Sequence, residues 1–403
     1  MSFKSGLLIF SCVTFLLGGC SKFKIPGSQL FDRPAKPIPL KALAAVTPTI
    51  KTSNDWQVST GSNMRENKVH PYIDKQAVYV AGGNSASAWQ QANGKMLWKT
   101  AIGEFISAGV NGTLLTSPQT GVTANSTAEQ VFIGTTSGNA IALNAQTGNI
   151  QWIERLSSEV QSVSPAHNNR VVFRTIDGKL HGLSSITGEL IWQRSQTTPS
   201  LSMLGASVPV IVSTLVIEGF DNGKVAAYDL QTGKEIWQVT LALPRGNNEL
   251  DRVIDIDGKL KPLGNALFAA SLNGSASGIN METGKLAWSR SFSTSVGVNA
   301  NPLGLYSSDD KGNVWRMNPN NGDPIWSMDD LQRRQPTVPA LIGSAHIVVA
   351  DKQGNIHWIN TQTGKFVARS KGDSAGYSVE PEVSGNSIYA IGKSGVLSKI
   401  TLQ

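Results

Sequence analysis

From about residue 77 onward, apolar residues gather in runs of five to seven, each cut off by glycine or a short polar residue. The unit is visible in "GKVAAYDLQTGKEIW" (Gly223 to Trp237) and again in "GNIHWINTQTGKFVA" (Gly354 to Ala368). Runs this short between turn residues predict β-strands, because helices need ten or more residues. A Thr-Gly-type turn recurs at Gly94, Gly148, Gly188, Gly233, Gly284, Gly322 and Gly364. Four residues after each stand Trp98, Trp152, Trp192, Trp237, Trp288 and Trp326, with Ala368 the single lapse. Ten residues before each lies a second turn residue: Gly138, Gly178, Gly223, Gly274, Gly312 and Gly354, with Asn84 in the first copy. Asn is the apt substitute there, since it visits the left-handed region more cheaply than most residues.

The polar residues Asn144, Ser184, Asp229, Asn280, Asn318 and Asn360 precede the Thr-Gly turns by four positions. Their short side chains are expected to bond the backbone of the coming turn and fix its shape. Each tryptophan is expected to lie as a rigid plate against the neighbouring unit's turn, where glycine leaves room for an aromatic face.

Spacings between successive turn glycines run from 38 to 54 residues, which suits a four-stranded propeller blade. The two ends complement each other. "GKSGVLSKITLQ" supplies Gly395 and one strand but no second turn, while "SNDWQVST" supplies Trp56 with no glycine pair before it. The pattern therefore predicts an all-β fold: an eight-bladed β-propeller of four-stranded antiparallel blades, closed by pairing the N- and C-terminal strands, which removes both open edges.

Composition agrees. Of 403 residues 40 are glycine and only 16% are charged, as a turn-rich β protein requires. The net charge of +7 is not gathered into a basic arm or helix stripe, so nothing marks a nucleic-acid partner.

The N-terminus changes the picture. "MSFKSGLLIFSCVTFLLGGC" has Lys4 before an apolar stretch, Gly6 to Leu17, too short to span a bilayer. It ends in Leu17-Gly18-Gly19-Cys20, which resembles the lipobox of bacterial lipoproteins and implies cleavage before Cys20 and acylation (palmitate among the chains) of that residue. Ser21 follows where aspartate would imply retention in the inner membrane, so the resemblance points to the outer membrane. The expected domains are a signal peptide over 1–19, a lipidated cysteine with a proline-rich tether over 20–50, and the propeller over 51–403. With Cys12 in the leader, the mature chain keeps Cys20 alone and has no internal disulfide.

No HExxH, GxSxG, phosphate loop or CxxC pair is present. His181 and His357 fall within repeat strands and His70 and His346 beside or within apolar runs, all read as packing residues; His167 reads as a turn residue. Histidines scattered over separate blades predict neither a metal site nor a cofactor.

Two places stand out as contact surfaces. Leu201, Met203 and Leu204 in "PSLSMLGASVP" lie beyond the Trp192 strand; they are either exposed on a connecting loop or the core face of an innermost strand. The 51-residue gap from Gly233 to Gly284 carries Glu249, Asp251, Arg252, Asp255 and Asp257, which form either a loop on a binding face or a merely solvated loop. The longest gap, 54 residues between Gly94 and Gly148, is a third loop candidate without an assigned partner.

The repeat resembles that of quinoprotein dehydrogenases, which hold pyrroloquinoline quinone and calcium in an eight-bladed propeller. That resemblance also implies a disulfide of adjacent cysteines and long pocket-building insertions, which these mostly lean blades lack. Over its whole length the chain more specifically resembles the BamB family, propeller lipoproteins of the outer-membrane β-barrel assembly machinery. The most specific pieces are "PSLSMLGASVP", "ELDRVIDID" (Glu249 to Asp257) and "GNIHWINTQTGKFVA". The resemblance implies a non-enzymatic scaffold that binds the periplasmic POTRA domains of the central barrel protein and helps deliver unfolded barrel precursors. Residue by residue, it implies partner contacts at Leu201, Met203, Asp255 and Asp257, with Arg252 beside them. Leu204 departs from the pattern, which has an arginine there.

Overall fold

The computed structural model describes residues 40–61, 69–113, 129–199, 201, 207–244 and 252–403. They form eight four-stranded antiparallel sheets and no helix. Blades 1 to 7 span 72–101, 106–155, 160–195, 210–240, 261–292, 298–328 and 340–371, each running from its inner to its outer strand. Blade 8 takes three strands from the C-terminus (382–384, 387–391 and 396–402) and its outer strand, Thr52–Ser59, from the N-terminus. Thr52 pairs with Leu402 and Ser59 with Val396, so the ring closes as the end-complementarity predicts.

Every strand that carries a plate tryptophan reaches the next blade. The indole Nε1 of Trp56, Trp98, Trp152, Trp192, Trp237, Trp288 and Trp326 donates to the carbonyl of Gln91, Ala145, Ser185, Leu230, Met281, Pro319 and Thr361 respectively. Each acceptor stands three residues before a Thr-Gly glycine, and that glycine lies under the ring: a Cβ on Gly148 would collide with the face of Trp98. The turns are shaped as expected. Asn144 Oδ1 accepts the amides of Gln146 and Thr147, and Asp229, Asn280 and Asn360 repeat the arrangement.

Two details of the second turn depart from the expectation. In blade 1 the left-handed residue is Gly83, not Asn84, because the strands run up to the Gly82–Ser85 pair and leave only two residues to turn. In blade 5 it is Asn273, not Gly274, since Gly274 is already paired with Phe292 in the third strand.

The lapse at Ala368 has a structural cause. The blade that should receive its plate is blade 8, whose third and outer strands are joined by no turn, because the two chain ends meet there. Ile50 and Leu402 pack there instead, against the cluster that holds Val367 and Ala368.

Residues 40–50, assigned with 20–39 to a proline-rich tether without period, are fastened to blade 7 and to the crossover before it. Thr49 donates to Val367 O at 2.8 Å, Arg369 Nη1 to Ala44 O at 2.7 Å and Arg334 Nη2 to Lys41 O at 2.7 Å. Leu43 packs into the cluster between blades 6 and 7. The leader, Cys20 and the rest of the tether lie outside the described residues.

Candidate docking face

Antiparallel order gives the ring two different faces. Thr-Gly turns and inner-to-second hairpins open on one; second-to-third turns and the crossovers between blades lie on the other, the crossover face. Both stretches singled out in the sequence belong to crossovers: 196–209 between blades 3 and 4, and 241–260 between blades 4 and 5.

Leu201 is outside any strand and 42% exposed, so the loop alternative holds for it. Met203, Leu204, Glu249 and Asp251 lie outside the described residues. Arg252 is exposed. Asp255 and Asp257 are not on a solvated loop: they are 2% and 4% exposed, within a segment whose neighbours Val253, Ile254 and Ile256 are buried in the core. Backbone bonds fix that segment, with Leu272 donating to Asp255 O at 3.0 Å and Ile256 to Phe220 O at 3.3 Å. The apolar residues alternate with the aspartates in "VIDID", and burying one set took the other with it.

Asp257 is buried near a cation that no local pattern in the sequence announces. Arg174, on the second strand of blade 3, is 1% exposed. Its Nη1 donates to Glu218 Oε1 at 3.1 Å and to Gly219 O at 2.8 Å, and its Nη2 to Asp221. Burial works against the guanidinium charge, but Asp221, Glu218 and Asp257 outweigh it and hold Arg174 above the ordinary arginine value. One cation cannot neutralise several buried carboxylates. Burial pushes Glu218 up to about 8, against the pull of Arg174 and of Ser207, whose Oγ donates to Glu218 Oε1 at 3.0 Å. Ser207 ends the crossover that carries Leu201, and Asp257 stands near the end of the next one. The two crossovers thus share one buried anchor. The signal in the sequence was a single charged residue inside an apolar run, "VVFRT" and "VIEGF".

A second charged cluster lies among the inner strands. His70 Nδ1 is 3.5 Å from Glu380 and 3.8 Å from Glu382, so His70 is more than a packing residue. The three offer ligand atoms within 4.8 Å of one another. Lys259, arriving from the crossover into blade 5, donates to Glu380 Oε1 at 2.7 Å. Burial opposes ionisation of Glu380, yet Lys259 and His70 hold its carboxyl well below the usual range. The Lys259 ammonium, 2.7 Å from Glu380 and 3.9 Å from Glu382, occupies one side of this cluster.

His181 and His357 are buried packing residues as expected. Burial lowers His181 to about 4. His357 has Nε2 3.0 Å from Asp351 and accepts from Arg369 at Nδ1. His346 begins the second strand of blade 7, and His167 forms a turn bonded to Arg170.

Fold and site define a lean β-propeller whose blades dock by tryptophan on glycine, with its exposed candidate contacts on crossover loops. A family model described as "Outer membrane protein assembly factor BamB" matches residues 108–328 and 310–402, and the chain belongs to that family. It is 27% identical over 394 residues to the BamB of Yersinia pestis, covering 96% of this chain and 98% of the relative. To that of Escherichia coli it is 28% identical over 389 residues, 96% of each chain. The crystal structure of BamB from Moraxella catarrhalis superposes with a TM-score of 0.77 at 25% identity, covering 87% of this chain and 100% of that one. A quinohemoprotein alcohol dehydrogenase from Comamonas testosteroni superposes at 0.63 with 12% identity, 87% of this chain and 76% of that one, which is a likeness of fold alone.

Proposed function

We propose that the protein is a non-enzymatic scaffold of outer-membrane protein assembly, acylated at Cys20 and held on the periplasmic side of the outer membrane. In this reading it binds the POTRA domains of the central barrel protein and aids folding and insertion of barrel precursors. The carrying observation is Leu201, an exposed leucine on a crossover whose end, Ser207, is fastened into the Arg174 cluster. An exposed apolar side chain is a fit anchor for a protein partner. Leu201, with Met203 and Leu204 beside it in sequence, supplies the apolar contact, and Arg252 the polar one. Asp257, beside Arg174, acts from inside by seating the crossover, and Asp255 is buried with it, so neither supplies an exposed contact.

Truncating Leu201→Ala with Met203→Ala is expected to abolish co-purification with the barrel protein while the thermal midpoint stays at the wild-type value. Undiminished co-purification of the folded double variant would refute the assignment. The quinoprotein reading finds no support in the residues. The chain has no adjacent cysteine pair, and in the inner-strand cluster Lys259 already bonds Glu380.

A further inference from the structure

The strap over blade 7 gives the ring a direction. Between Thr49 and Lys41 it crosses from Val367, at the Thr-Gly end of the blade's outer strand, to Arg334 on the crossover between blades 6 and 7. Lys41, at the start of the described chain, therefore lies at the crossover face, on the sector opposite blades 3 and 4. The arginines that hold it are themselves held: Arg369 Nε donates to His357 at 3.1 Å, and Arg334 is buried. Only 19 residues lie between Cys20 and Leu40, at most about 70 Å of extended chain.

That sector is basic. Lys311 and Lys352 stand exposed in the second-to-third turns of blades 6 and 7, Lys371 at the crossover end of the strand beneath the strap, Arg333 on the crossover, and Lys41 on the strap. Among the described residues of the sector the exposed acids are Asp310 and Asp329. Asp309, Asp330 and Glu382 are half-buried, and the remaining acids are buried: Asp351 bonds His357 at 3.0 Å, Asp373 accepts from Ser394 at 2.6 Å, and Glu380 accepts from Lys259.

We propose that the crossover face of blades 6 to 8 is a membrane-contacting surface that takes anionic phospholipid headgroups. It rests on the reading that Cys20 is acylated only for its location. The strap delivers this sector to the lipid surface, and the five cations add a second binding signal to the acyl anchor. Each basic residue near an anionic bilayer raises partition about fivefold, an effect that salt screens. The other half of the same face is left to the protein partner.

The test uses the full chain carrying Cys20→Ser, which has no acyl group, mixed with phosphatidylethanolamine vesicles with and without phosphatidylglycerol. Its apolar leader adheres to both alike, so the readout is the difference between them. Partition onto the anionic vesicles is expected to be at least about twentyfold greater and to collapse in high salt. The triple reversal Lys311→Glu, Lys352→Glu, Lys371→Glu should lower it about 100-fold. The triple Lys234→Glu, Lys285→Glu, Lys365→Glu, equal in charge but on exposed Thr-Gly turns of the opposite face, should leave it near the starting value. Equal partition to both vesicle types, or equal loss in both triples with unchanged melting, would overturn the proposal. Acylation of Cys20 is read separately from the intact mass of the mature lipoprotein, so the two failures are distinguishable.

Discussion

Trp56 lies across Gly94: a Cβ built on that glycine would stand 2.8 Å from the indole Cδ2, and the indole nitrogen donates to Gln91 O at 3.1 Å. One residue belongs to the last blade and the other to the first. This contact and the Thr52–Ser59 ladder are what turn a row of blades into a ring. Gly94 sits at φ +70, so the turn geometry and the space for the ring have the same requirement.

Removing the plate should therefore act on the whole molecule. Trp56→Ala is expected to destabilise the ring by about 2–4 kcal/mol, below the full range for a buried tryptophan because Trp56 is half-buried. Chemical denaturation read by tryptophan fluorescence checks this. A midpoint equal to wild type would mean that closure does not depend on this contact.

Ala368→Trp writes the repeat's own consensus into its one exception. The substitution should destabilise by about 1–3 kcal/mol, because Ala368 is buried beside Ile50 and Leu402 with no turn glycine to accept a ring. Stabilisation in a thermal melt would contradict this explanation of the lapse.

Two separate buried groups, Glu218 and His181, make stability depend on pH in opposite directions. Glu218 is raised from 4.5 to about 8 in the fold, so its contribution is complete below about pH 4.5 and is lost as pH rises through 8. Relative to Glu218→Gln, the wild type should lose thermal stability progressively between pH 5 and 8. His181 is lowered from 6.5 to about 4, so its contribution is present above pH 6.5 and is lost as pH falls toward 4. Relative to His181→Gln, the wild type should lose stability on that acid side. Parallel melting curves for wild type and Glu218→Gln between pH 5 and 8 would show that Glu218 is ionised throughout that window.

What was legible in the sequence was whatever the fold repeats. Tryptophan and glycine recur because every blade boundary poses the same packing problem, and the orphan strands betray the closure because they break that recurrence in complementary ways. What was not legible depends on contacts made once. Arg174 meets Glu218 and Asp221 across more than 40 residues, so nothing near "VIDID" announced that its aspartates are buried. The prolines and missing period of 20–50 made residues 40–50 read as a tether, although backbone carbonyls with no side-chain signature are what Arg334 and Arg369 hold. His70 looked like one more strand residue until blades 8 and 5 brought Glu380 and Lys259 to it.

The docking claim is tested most directly by placing a photo-crosslinking residue at position 201 in cells, with position 236, exposed on the outer strand of blade 4, as the comparison. The account predicts an adduct with the central barrel assembly protein from position 201 and none from position 236. An adduct from 236 alone, or none from 201 in a protein present at its normal level, would contradict it.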